Sequence, residues 1–113
     1  MYLQEVIELA KAKVVSGNIE GMYVDRAFCS DLMSDVLTID SDNLLLITGL
    51  ANIQSIRTAE MADVQCILLV RDKEASPEML RIAEENNMVI METSLSMYNT
   101  AGRLYKAGLK PVY

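Results

Sequence analysis

The sequence predicts an α/β fold in three layers, α/β/α, on a mainly parallel sheet of four strands or slightly more. Two observations lead. The runs Leu44–Ile47 and Ile67–Val70 contain no polar residue, as expected of central strands covered on both faces. Segments with apolar residues at helical spacing stand between these and the other strand-like runs. Strand–helix–strand succession implies right-handed crossovers and a parallel sheet with helices on both sides.

The elements follow in order. Leu3, Val6, Ile7, Ala10 and Val14 fall at i, i+3, i+4, i+7 and i+11, one face of a helix that Gly17-Asn18 is expected to close. Gly21 to Ser30 reads as a strand carrying Met22, Val24 and Phe28, interrupted by Asp25-Arg26. Leu32, Met33, Val36 and Leu37 suit a short helix starting near Ser30 or Asp31. The second strand, Asn43 to Thr48, is closed by Gly49, and Asn52 caps a helix that turns Ile53, Ile56, Ala59 and Ala62 inward. Cys66 to Val70 is the third strand. Ser76 is the N-cap and Pro77 the first residue of the next helix, where a missing N–H costs nothing. Leu80, Ile82 and Ala83 form its apolar face and Asn86-Asn87 its end. Met88 to Met91 is the fourth strand. Thr93-Ser94 is expected to cap a last helix with a buried stripe of Met97, Tyr98, Ala101, Leu104 and Tyr105, ended by Gly108.

The chain has 113 residues, 51% of them hydrophobic, which fits a single domain over residues 1–113 with about two thirds of its unfolded surface buried. Ten basic residues against sixteen acids give a net charge of −6. That balance argues against nucleic acid, whose binders cluster Lys and Arg against phosphates, and against anionic lipid. No apolar run approaches the roughly 20 residues of a membrane span, and Met1-Tyr2-Leu3-Gln4-Glu5 lacks the basic start of a secretory signal. The expected setting is cytoplasmic. Cys29 and Cys66 both have apolar neighbours. A disulfide between them is one reading, and two buried, reduced thiols are the preferred one.

Missing chemistry excludes more than any motif present. Without histidine there is no Ser-His or Cys-His nucleophile, and the commonest base and metal ligand are lost. Neither G-x-G-x-x-G nor G-x-x-x-x-G-K-[ST] occurs. Asp40-Ser41-Asp42 opens like a calcium loop, but its sixth position is Leu45 and its twelfth Ala51, where glycine and glutamate are required. Asp31 and Asp35, four apart, share a helix face as a solvated pair or as a Mg²⁺-holding pair. No catalytic residue, cofactor or metal is expected.

Parallel sheets bind ligands at the carboxyl ends of their strands. That rim is expected to hold Ser30, Asp31, Thr48, Gly49, Asn52, Ser76, Thr93 and Ser94, with no Lys or Arg in these segments. Such residues either cap helices or present N–H groups to a phosphate. Eight methionines serve mostly as core filler. Met97, Tyr98, Tyr105 and Tyr113, however, exceed what one helix must bury, and they mark a candidate interface for self-association.

Ser30-Asp31-Leu32-Met33-Ser34-Asp35-Val36-Leu37 is similar to the S-D-L-x-S-D-V-x segment of DRTGG domains. Leu46-Ile47-Thr48-Gly49, the strand from Cys66 to Val70 and the stretch from Pro77-Glu78 onward match further. The run Thr93-Ser94-Leu95-Ser96-Met97-Tyr98-Asn99-Thr100-Ala101-Gly102-Arg103-Leu104 resembles the family's S-x-L-S-T-F-E-x-A-x-x-L ending. The name-giving G-D-R-T-G-G is replaced by Gly49-Leu50-Ala51-Asn52-Ile53-Gln54, which keeps only Gly49. The resemblance implies a three-layer fold like the N-terminal domain of HPr kinase/phosphorylase. It also implies an accessory role of the kind such domains play beside CBS domains in regulated pyrophosphatases and in some phosphate acetyltransferases, often at subunit interfaces and with no known catalytic step.

The leading expectation is a non-catalytic regulatory or assembly module that forms a homodimer and binds a protein partner. The alternative is a sensor that binds a nucleotide or other small anion at the rim. An enzyme built on Asp31, Asp35 and a borrowed metal is the remote third.

Overall fold

Every residue of Leu44–Thr48, of Cys66–Leu69 and of Val89–Glu92 is buried, so both faces of the central sheet are covered. The computed structural model describes residues 1–113. In chain order the elements are α1 (Leu3–Ala10), β1 (Lys13–Ser16), β2 (Arg26–Cys29), α2 (Met33–Val36), β3 (Leu44–Thr48), α3 (Ile53–Met61), β4 (Cys66–Leu69), α4 (Pro77–Glu85), β5 (Val89–Glu92), α5 (Met97–Lys106) and β6 (Lys110–Pro111). The sheet has six strands in the order β1-β5-β4-β3-β2-β6. All neighbours run parallel except β1, which is antiparallel to β5.

Alternation along the strands divides the core in two. Leu44 and Leu46 of β3, Ile67 and Leu69 of β4, and Ile90 of β5 meet α2, α3 and α4 on one side. Leu45, Ile47, Cys66, Leu68, Val89 and Met91 meet α1 and α5 on the other. Each fully buried Leu or Ile contributes about 1.5–3 kcal/mol. The three-layer α/β/α architecture expected from the sequence is therefore present. Asn52 and Ser76 cap their helices, accepting from the N–H groups of Ser55 at 3.0 Å and Met79 at 3.2 Å.

Several local expectations are corrected. The first helix does not run to Gly17. It stops at Ala10, where Lys11 turns left-handed (φ 52°) and donates its N–H to Ile7. Val14 belongs to β1, paired with Met91, because two consecutive β-branched valines gain more by closing the open edge of β5 than by extending a helix. The predicted strand from Gly21 shrinks to Arg26–Cys29. Ahead of it the Val24 N–H donates to Met1 and the Met22 carbonyl accepts from Leu3, so the chain start occupies groups that a longer strand needs.

The cap of α5 is Ser96, which accepts from the Asn99 N–H at 3.1 Å, rather than Thr93-Ser94. In α5 only Thr100 and Leu104 are buried, and Tyr98 and Tyr105 point outward at 90% and 69% exposure. Ile53, at the start of α3, is also exposed, while Ile56 and Ala59 are buried. β6 was not expected. It is two residues long and contains Pro111, a short edge that resists pairing with another sheet.

Both cysteines are free, Cys66 buried and Cys29 exposed, which corrects the expectation of two buried thiols. Ala27 of β2 pairs with Leu45 of β3, and Leu45 pairs with Cys66 of β4. A whole strand therefore separates the two cysteine-bearing strands, about 9–10 Å at the usual spacing, beyond disulfide reach. No helix is long and apolar enough to cross a membrane.

Candidate functional site

The carboxyl ends of β2, β3, β4 and β5 open on one rim, where α3, α4 and α5 begin. At the β2–β3 end, Asp31 Oδ1 accepts from the Thr48 hydroxyl at 2.9 Å and the Gly49 N–H at 2.7 Å. The buried Thr48 oxygen in turn accepts from the Leu50 N–H at 3.1 Å. Ser30 Oγ accepts from the Leu32 N–H at 3.0 Å. Asp31 lies ahead of α2 and Asp35 within it, so the two do not form an i, i+4 pair on one helix face.

At the β5 end the buried Thr93 hydroxyl donates to the Ala10 carbonyl at 2.6 Å and accepts from the Leu95 N–H at 3.2 Å. Ser30, Asp31, Thr48, Gly49, Asn52 and Thr93 are thus engaged in the protein's own hydrogen bonds, but among them only Asn52 caps a helix. Ser94 is exposed and makes no hydrogen bond from its N–H or hydroxyl. β4 lies between the two ends, so the structure does not bring the expected rim residues into one cluster.

Sequence reasoning placed no cation on this rim. The structure does. Antiparallel β1 starts beside the end of β5, pairing Lys13 with Glu92. With Lys11 and Lys73 it lines a crevice of about 240 Å³ that also contains Asp72, Glu92 and Ser94. Lys13 Nζ lies 3.9 Å from Glu92 Oε1, and Glu92 Oε2 accepts from the Ala75 N–H at 2.8 Å. The signal in the sequence is the Lys11–Lys13 pair, which a helical period through Val14 places on a helix rather than on this rim.

A second concavity of about 390 Å³ lies between α5 and the β2–β6 edge, and its walls are mainly apolar. Phe28, Cys29, Tyr98, Tyr105, Lys110 and Tyr113 are among its lining. Phe28 and Tyr113 meet edge to face with centroids 6.2 Å apart. Tyr113 is 84% exposed, so three tyrosines ring the opening. The expected interface residues Tyr98 and Tyr105 are brought together here, while Met97 packs inward against the α1–α5 core. Apolar surroundings push the Cys29 thiol above its ordinary pKa.

The model of the family described as "DRTGG domain" matches residues 5–107. Among solved structures, the CBS and DRTGG domains of the regulatory region of Clostridium perfringens pyrophosphatase, complexed with the activator diadenosine tetraphosphate, are similar over 97% of this chain, with a TM-score of 0.79 and 14% identity. The match takes in 47% of that chain, so the present sequence spans about half of its neighbour. No curated protein matches. At this identity the neighbour establishes the fold.

Proposed function

The chain belongs to the DRTGG domain family, and from that premise we propose that it is a non-catalytic regulatory and assembly module that pairs with a second copy of itself and docks a protein partner. The observation that carries the reading is the groove ringed by Tyr98, Tyr105 and Tyr113, with apolar walls on a chain otherwise rich in exposed charge. Exposed tyrosines around an apolar concavity are the composition of interface centres. The absence of histidine and of phosphate-cradling loops supports a role through contact rather than turnover. The fold neighbour is itself a regulatory region. Light scattering with Tyr98→Ser/Tyr105→Ser tests the reading. The natural chain is expected to run as a dimer at micromolar concentration and the variant as a folded monomer. A natural chain that stays monomeric at high micromolar concentration refutes self-association.

A second reading, a sensor for a nucleotide or small anion at the strand ends, is favoured by the three lysines that meet there. The fold neighbour's complex with a dinucleotide activator adds to it. A ligand at 100 times its Kd adds about 2.7 kcal/mol of stability, which a thermal-shift series reads.

A further inference from the structure

We infer that the crevice between the carboxyl ends of β4 and β5 is a binding site for a compact phosphate-bearing anion, gripped by Lys11, Lys73 and Ser94. The inference deepens the sensor reading and rests on it, but it does not depend on self-association.

Topology selects the place. β4 leaves the sheet toward α4, on the side of one core, and the adjacent parallel β5 leaves toward α5, on the side of the other. Neighbouring strands whose outgoing connections part to opposite faces leave a crevice at their carboxyl ends, and open α/β sheets take ligands there. In this sheet β2, β3 and β4 all connect forward through helices of one side, so β4 and β5 form the pair whose connections part.

The crevice is built rather than loose. The Arg71 N–H donates to the Leu95 carbonyl at 2.7 Å and the Asp72 N–H to the Thr93 carbonyl at 3.0 Å, tying the β4–α4 loop to the β5–α5 loop. Two of the residues lining it, Lys11 at 52° and Asp72 at 63°, are non-glycine residues with positive φ. Such backbone costs free energy and persists where the surroundings over-determine it.

The charge arrangement selects the ligand. Lys13 and Glu92 face each other and Glu92 also holds the Ala75 N–H, so that pair is satisfied internally. Lys11 and Lys73 have no carboxylate within 4.0 Å. Asp72 and Glu74 also line the crevice and, with Glu92, balance the formal charge of its three lysines, local relief from repulsion in a chain of net charge −6. Ser94, also in the lining, adds an N–H and a hydroxyl with no partner of their own. A volume of about 240 Å³ is below the roughly 300 Å³ at which sites for drug-sized ligands begin. It suits a phosphate or diphosphate group and leaves any base outside.

The test is calorimetric titration of inorganic pyrophosphate and of ATP at constant ionic strength, into the full chain and into Lys11→Ala/Lys73→Ala, with light scattering on the same samples. The expected result is saturable binding to the natural chain, weakened at least tenfold in the double variant at unchanged oligomeric state, with Ser94→Ala intermediate. Equal binding by the natural chain and the double variant overturns the crevice and leaves the sensor reading standing. No binding of either probe to the natural chain overturns both. A melting temperature of the double variant within a few degrees of the natural chain separates lost binding from lost folding.

Discussion

The Thr48 hydroxyl donates to Asp31 Oδ1 at 2.9 Å across 17 residues of sequence, and the same carboxylate oxygen receives the Gly49 N–H at 2.7 Å. Asp31 therefore holds the turn that follows β3, in the stretch where the family's name-giving motif stands. Hydrogen bonds to a charged group are worth about 1.5–3 kcal/mol, less where water competes. Asp31→Ala is expected to lower the unfolding free energy by about 1–2 kcal/mol in urea titrations, without changing oligomeric state. A loss under about 0.3 kcal/mol removes this structural role.

Leu46 is fully buried in β3, with β2 on one side and β4 on the other. Truncating such a residue forfeits transfer free energy and leaves a void. Leu46→Ala should cost about 2–5 kcal/mol, read from the shift of the urea midpoint.

Thr100 is fully buried in α5, and its hydroxyl has no partner. A buried donor without a partner carries a desolvation cost of about 1–3 kcal/mol. Replacing it with a group of the same shape and no polarity removes that cost. Thr100→Val is expected to raise stability by up to about 1 kcal/mol, since valine and threonine have nearly equal helix propensities. A loss larger than about 1 kcal/mol shows that the hydroxyl is satisfied in solution.

The two thiols should behave differently. Burial pushes the Cys66 pKa from 9.0 up to about 12. Below pH 9 the thiol is neutral in folded and unfolded chains alike. From there to about pH 12 only the unfolded chain ionises, so Cys66 contributes a fall in stability approaching about 1.4 kcal/mol per pH unit. Denaturant titrations from pH 8 to 11 should show this slope in the natural chain and a shallower one in Cys66→Ala. At neutral pH a thiol reagent should label exposed Cys29 without denaturant and Cys66 only on unfolding.

Local sequence determined what local physics controls. The unbroken apolar runs announced β3 and β4, since a strand with helices on both faces has no solvent side on which to place a polar residue. Asn52, Ser76 and Pro77 announced their helix starts because capping is settled within three residues. The lack of histidine bounded the chemistry without any fold.

Long-range pairing decided the rest. Val14 carries a helical period with Leu3 and Ala10, yet lies in β1 because β5 offers an open ladder that no local pattern reveals. That one pairing brings Lys11 and Lys13 to a rim read as free of cations. Likewise, α5 turns Tyr98 and Tyr105 outward because its contacts are with β3 and α1, leaving the β2–β6 edge uncovered. The composition of each segment was legible from the chain. Which segments meet, and hence where charge and exposed aromatic surface collect, depends on contacts between residues far apart in sequence, which only the folded sheet specifies.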